Sequence, residues 1–220
     1  SLTATSCVAN ALLPQRSDLA AVAALMRSAR RPMILAGEGA LRAQAGPALT
    51  QFAKRRHVPV VGLGGGRGIV AEDDTNGFSW IMAEPAVHAA DLVLVLGARL
   101  LTQTNFGLPP RFAPDAVFVR VDTRPEELQR TRPARIAVQA DARGFIEALD
   151  RYLDEESDGT LAFDRGWLRT GLGMRRAAIA QAREEVAAET TLHPLALFDR
   201  VQAMLPPEAT VAVDGGYAGG

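Results

Sequence analysis

Cysteine occurs once in this 220-residue chain, at Cys7, so no internal disulfide is possible and a packed core must hold the fold. The same scarcity fits a reducing compartment, and the expected location is the cytoplasm. Cys7 sits near the start of the chain and reads as incidental rather than as a catalytic thiol. Lysine is just as scarce, with Lys54 alone among 24 basic side chains. Together with abundant alanine, that bias reads as a GC-rich bacterial genome rather than an arginine-based function. His57, His88 and His193 lie far apart and show no metal-ligand spacing. No apolar run approaches the roughly 20 residues that a membrane helix needs, and residues 1–20 lack the basic start and apolar core of a secretory signal. The net charge is −1, so neither nucleic acid nor a membrane surface is expected as a partner. There is no Gly-x-Ser-x-Gly elbow and no carboxylate pair within a recognisable motif. No catalytic residue and no metal ligand is assigned.

What is present is ordinary globular composition, 48% hydrophobic and 22% charged, in a chain long enough for one full domain and extra pieces. The organising stretch is Asp91-Leu-Val-Leu-Val-Leu-Gly-Ala-Arg99. It is apolar without alternation, which predicts a central strand of a parallel sheet covered on both faces. Further strands are predicted at 32–36, 59–63, 117–122 and 136–141. Helices are predicted at 19–30 (with Ser17 as N-cap), 45–56, 84–90, 124–130 and 142–153. Strand and helix alternate with connections too long for hairpins, which implies a three-layer α/β/α, doubly wound, Rossmann-like parallel sheet of about six strands.

This domain is placed at residues 17–155, after a linker at 1–16. Residues 156–191 read as a linker and a bridging helix with a weak apolar face, the helix at 165–189. Residues 192–220 read as the truncated start of a further α/β domain, with a helix from His193 and a strand at 210–214. The missing methionine and the abrupt end at Gly220 suggest a piece of a longer protein, Ser1 and Leu2 being cloning remnants.

Candidate ligand positions gather after the predicted strand ends. Gly37-Glu-Gly39 lies at a strand-to-helix turn, either a tight turn or a variant nucleotide site. Arg42 occupies the place of the third glycine in the dinucleotide fingerprint, and no acidic residue ends the second strand, so a standard nicotinamide site is not expected. The loop 62–68 has Arg67-Gly68-Ile69 where a phosphate loop needs Gly-Lys followed by Ser or Thr. Close approach to some ligand, or flexibility, remains for it. Asp122 and Asp141 each end a strand and precede a helix, so each is either a ribose ligand or an N-cap. Arg99 can pair with a phosphate or form a surface salt bridge.

From Arg31 to Leu149 the ordered landmarks resemble the central domain of thiamine-diphosphate-dependent enzymes, the acetolactate synthase and decarboxylase superfamily. They are Arg31-Pro-Met-Ile-Leu-Ala-Gly-Glu-Gly39, Pro59-Val-Val with Gly66-Arg-Gly68, Ala90 to Arg99, Val121-Asp122 and Ala140-Asp141. Asp214-Gly-Gly216 resembles the opening of the family's diphosphate-binding domain. Gly97-Ala-Arg-Leu100 and Phe106-Gly-Leu-Pro-Pro-Arg-Phe-Ala-Pro-Asp115 are most similar to the 2-hydroxyacyl-CoA lyase and oxalyl-CoA decarboxylase branch. Acetolactate synthases show Arg-Phe-Asp-Asp-Arg after the Gly-Ala, whereas Leu-Leu-Thr-Gln-Thr follows Arg99 here.

The resemblance implies a parent enzyme that uses thiamine diphosphate and Mg2+ to make or break a C–C bond beside a carbonyl of a 2-oxo or 2-hydroxyacyl substrate. It implies that the N- and C-terminal domains of the same chain hold that cofactor, leaving this piece inactive alone, and that the enzyme is a homodimer or tetramer. ADP, CoA or FAD is the implied occupant of the central domain; the alternative readings of the chain are an FAD-containing acetolactate synthase-like enzyme or a stand-alone nucleotide-binding module. The site residues it implies are Gly37, Gly39, Gly97, Ala98, Arg99, Asp122, Thr123 and Asp141.

Overall fold

A computed structural model describes residues 12–72, 74–156, 161, 163–164, 166–187, 193–206 and 208–211. Cys7, Asp214-Gly-Gly216 and most of the strand expected at 210–214 lie outside them. The described chain runs α1 (Arg16–Ser28), β1 (Pro32–Ala36), α2 (Glu38–Arg42), α3 (Gly46–Arg56), β2 (Val60–Gly62), β3 (Gly77–Ser79), α4 (Trp80–Ala83), β4 (Leu92–Leu96), β5 (Val117–Asp122), α5 (Pro125–Leu128), β6 (Ile136–Gln139), α6 (Ala142–Glu155), α7 (Trp167–Ala187) and α8 (Pro194–Met204). Two compact units divide at Leu172 and Gly173, and the sheet belongs to the first.

All six strands are parallel, in the order β3-β2-β1-β4-β5-β6. The reversal of order between β1 and β4 is the topological switch point of a doubly wound sheet. β4 is buried along its whole length, as its unbroken Val and Leu content predicts. Leu92, Leu94 and Leu96 point into one core with Val22 and Met26 of α1, Phe52 of α3 and Phe145 and Leu149 of α6. Val93 and Val95 point into the other, with Phe78, Trp80, Phe112, Phe118 and Leu168. That second face is covered largely by short elements and loops, joined by Leu168 from the first turn of α7. Asp91 ties the start of β4 to that of β1, its carboxylate accepting from Arg30 N and Arg31 N at 2.8 and 2.9 Å.

Four local expectations are corrected. The N-cap of α1 is Gln15, locked by a reciprocal bond with Asp18, and Ser17 lies inside the helix. In place of the helix expected at 84–90 there is only a 3₁₀ turn at Val87–Ala89; α4 ends before it at Ala83, and Pro85 has no N–H to continue the ladder. The polar passage after the glycine-rich loop contains β3, a sixth, edge strand pairing Val60 with Gly77. The strand-to-helix turn expected at Gly37-Glu-Gly39 is already helical from Glu38, where α2 begins.

α3 and α6 are clamped by charge. Arg56 Nε donates to Asp150 Oδ1 at 2.8 Å, its guanidinium also reaches Asp154 at 2.6 Å, and Arg55 pairs with both carboxylates. The hydrogen bonds from Arg55 and then Arg56 hold the Asp154 carboxyl below the usual carboxylate range. In the second unit, Arg183 of α7 pairs with Asp199 of α8 at 2.7 Å. No helix among the described residues is long and apolar enough to cross a membrane.

Candidate functional site

Backbone geometry at the carboxyl edge of β1 and β4 builds the floor of the site. Gly37 N donates to Leu96 O at 3.0 Å, Gly39 N to Gly97 O at 2.9 Å, and Gly97 N to Val121 O at 2.9 Å. A Cβ on Gly37 would lie 2.5 Å from Ala98 Cα, and one on Gly39 2.7 Å from Gly97 Cα. Gly97 itself takes a positive φ of 52°. These glycines therefore let two loops touch main chain to main chain, and their N–H groups are already engaged by carbonyls. They are not free to cradle a phosphate.

Above this floor opens a cavity of about 610 Å3, within the size range of small-molecule sites. All eight residues singled out in the sequence line it: Gly37, Gly39, Gly97, Ala98, Arg99, Asp122, Thr123 and Asp141. Asp141 is the N-cap of α6, accepting from Gly144 N at 2.9 Å, and faces the cavity as well. Asp122 is not a helix cap; the cap position of α5 is Arg124, and Asp122 Oδ1 accepts from Arg124 N at 2.9 Å. Arg99 forms an ion pair with Glu127, Nε to Oε1 at 3.2 Å.

The cavity also takes in residues that the sequence did not mark as ligands. Arg42, in the place of the third fingerprint glycine, lines it while paired with Glu38 at 2.6 Å. Gly64 and Gly65 of the glycine-rich loop line it too; Gly64 has φ 55° and open space where a Cβ would stand. Their glycine content was the available signal. Arg124 and Thr104 had none, since one reads as a solvated arginine and the other as a loop residue.

Beneath the β5 side lies Arg120, buried, its guanidinium donating to the carbonyl of Glu127 at 2.6 Å. Burial pushes Arg120 below its ordinary value, opposed by Glu127 and Asp122. The remaining polar candidates are structural or isolated. Trp80 packs on Phe112 with ring centroids 6.1 Å apart, and His57 and His88 are exposed. Among the described residues no three His, Cys, Asp or Glu side chains come together to hold a metal ion. No chemical step is assigned to the described residues.

The sequence of this domain matches a known family. Residues 19–149 match the thiamine pyrophosphate enzyme, central domain, and the chain belongs to that family. It is similar to 2-hydroxyacyl-CoA lyase 1 of Mus musculus, 27% identical over 209 residues that cover 92% of this chain and 35% of that protein. It is likewise similar to oxalyl-CoA decarboxylase of Escherichia coli (strain K12), 29% identical over 195 residues, 88% of this chain and 33% of that protein. Among solved structures, benzoylformate decarboxylase from Polynucleobacter necessarius matches with a TM-score of 0.56 at 18% identity, over 68% of this chain and 29% of that one. That likeness shows the fold. The chain spans about a third of the length of the curated relatives it matches.

Proposed function

We propose that this chain serves as the central domain of a larger thiamine-diphosphate-dependent lyase or decarboxylase, and that its cavity holds an adenine nucleotide, ADP or CoA. Thiamine diphosphate supplies such an enzyme with a nucleophilic carbon and an electron sink for chemistry beside a carbonyl. The domain's own contribution is a rigid floor, a carboxylate and arginines placed around a nucleotide. The observation that carries the nucleotide reading is the convergence of Asp122, Thr123, Arg99 and Arg124 in one cavity at the switch point. A carboxylate there can accept from ribose hydroxyls, and guanidinium groups match phosphate oxygens. The substrate class, a 2-oxo or 2-hydroxyacyl compound, follows from the relatives' names. Mg2+, a cytoplasmic location and a homodimeric or tetrameric assembly belong to the same reading.

Titration calorimetry of the folded 220-residue chain with ADP, CoA and FAD tests the nucleotide part. One ADP or CoA per chain is expected, and a folded chain that binds none of the three refutes it. The activity is tested on the full-length protein supplied with thiamine diphosphate and Mg2+. Cleavage of a 2-hydroxyacyl-CoA or decarboxylation of oxalyl-CoA is expected, and inertness toward both refutes this branch.

A further inference from the structure

The carboxylate of Glu127 stands in an unusual place. Its side chain is 6% exposed, yet Oε1 meets three guanidinium groups: Arg99 Nε at 3.2 Å, Arg124 Nη2 at 3.2 Å and Arg130 Nη1 at 3.3 Å. A buried carboxylate is costly unless paired, and here the pairing exceeds one to one. Arg120 lies beside it, bound to its backbone carbonyl. Among the described residues, the ion pairs of Arg99, Arg124 and Arg130 run to two carboxylates, Glu127 and Asp122, and the same two face Arg120. Arginine stays protonated even when buried, so the guanidinium groups here outnumber the carboxylates they pair with.

Those charges are aimed outward. Arg99 and Arg124 are 50% and 44% exposed while their common partner is buried, and both line the cavity. Apart from Glu127, Arg99 has no polar partner among the described residues, which leaves N–H donors available for an anion. The main-chain amides of Gly37, Gly39 and Gly97 are engaged with carbonyls across the floor. With those three amides engaged, the guanidinium groups of Arg99 and Arg124 are charged donors left at this wall.

We infer that Glu127 is a positioning residue, a buried carboxylate that holds Arg99 and Arg124 at the cavity wall as a seat for a terminal phosphoryl group. A phosphomonoester carries a charge of about −1.5 to −2 near neutral pH, which suits a wall where guanidinium groups outnumber carboxylates. The group can be the terminal phosphate of a 5′-diphosphate or a phosphate on the ribose, as in a 3′,5′-bisphosphate. This inference rests on the nucleotide reading above and goes beyond it by assigning which residues read the phosphate, and through what.

The test is calorimetric titration of the 220-residue chain with adenosine, ADP and adenosine 3′,5′-bisphosphate, in the wild type, Glu127→Gln and Arg124→Gln. At least one phosphorylated ligand is expected to bind about tenfold or more tighter than adenosine, as hydrogen bonds to charged groups require. The preferred one identifies the source of the phosphate. Glu127→Gln removes a negative charge, so simple electrostatics predicts tighter binding of an anion. Loss of positioning predicts the opposite: the phosphate preference falls about tenfold while adenosine affinity, which reports an intact cavity, is unchanged. Arg124→Gln, at an exposed position, is expected to lower the same preference even if Glu127→Gln fails to fold. Unchanged or tighter phosphate binding in a folded Glu127→Gln overturns the inference. So does equal affinity for adenosine and both nucleotides, which leaves the nucleotide reading standing. Binding of none of the three overturns both.

Discussion

Replacing Gly37 by alanine is expected to lower the stability of the sheet domain through a main-chain clash at the cavity floor. The new Cβ would stand 2.5 Å from Ala98 Cα, 2.6 Å from Gly97 O and 2.7 Å from Ala98 Cβ. Two of these atoms are main chain, so no side-chain rotation relieves the clash. The loop after β4 must retreat by about 1 Å to reach ordinary contact, against the bonds from Gly37 N to Leu96 O and from Gly39 N to Gly97 O. Overpacking of this kind costs about 2–3 kcal/mol. For a domain of this size that corresponds to a fall in Tm of about 5–10 °C, read by circular dichroism. Gly64→Ala is the control: Gly64 has φ 55° but nothing within reach of a Cβ, so only backbone strain of about 1 kcal/mol is expected. If Gly37→Ala matched the wild type, or if Gly64→Ala proved the worse of the two, the interlocked-floor reasoning would be refuted.

Other perturbations follow from the same contacts. Arg132→Met should destabilise by about 3 kcal/mol or more in urea unfolding, because its guanidinium donates to the carbonyls of Gly107, Ala113, Pro114 and Ala116 and methionine leaves them without that donor. Asp141→Ala should cost about 1 kcal/mol through loss of the α6 cap, and Asp141→Asn, which keeps an acceptor, should recover most of it in the same assay. Asp154 has its pKa depressed in the folded state by Arg55 and Arg56. Its contribution is therefore present above the unfolded carboxylate value of about 4 and is lost as pH falls through and below it. Asp154→Asn should accordingly flatten the acid limb of a Tm-against-pH curve below about pH 4, and an unchanged limb would contradict that assignment.

The parts of the fold that were legible in the sequence are those where burial is complete. β1, β4 and β5 are central strands, and unbroken apolar runs such as Leu92 to Leu96 have no other comfortable place in a soluble protein. β3 was hidden because Gly77-Phe-Ser79 is short, lies at an edge and has no β-branched residue. α2 was hidden because two of the first three residues from Gly37 are glycine, which favours a turn until tertiary contacts decide otherwise. At the site, strand ends and glycines could be read directly, since topology brings them to one rim. Glu127 could not. In Arg124-Pro-Glu-Glu-Leu128 a glutamate looks like a solvated first-turn residue, and only the packing of β5 and α5 shows that it is enclosed by arginines.

The division of labour at the rim bears on how such a domain can diversify. Its base is made of peptide groups locked to one another, so it tolerates almost no change at Gly37, Gly39 or Gly97. Its sides are made of outward-reaching arginine and threonine side chains, which can be exchanged without moving a strand. Selection for a new guest can therefore act on Arg42, Arg99, Thr123 and Arg124 while the platform beneath them stays fixed.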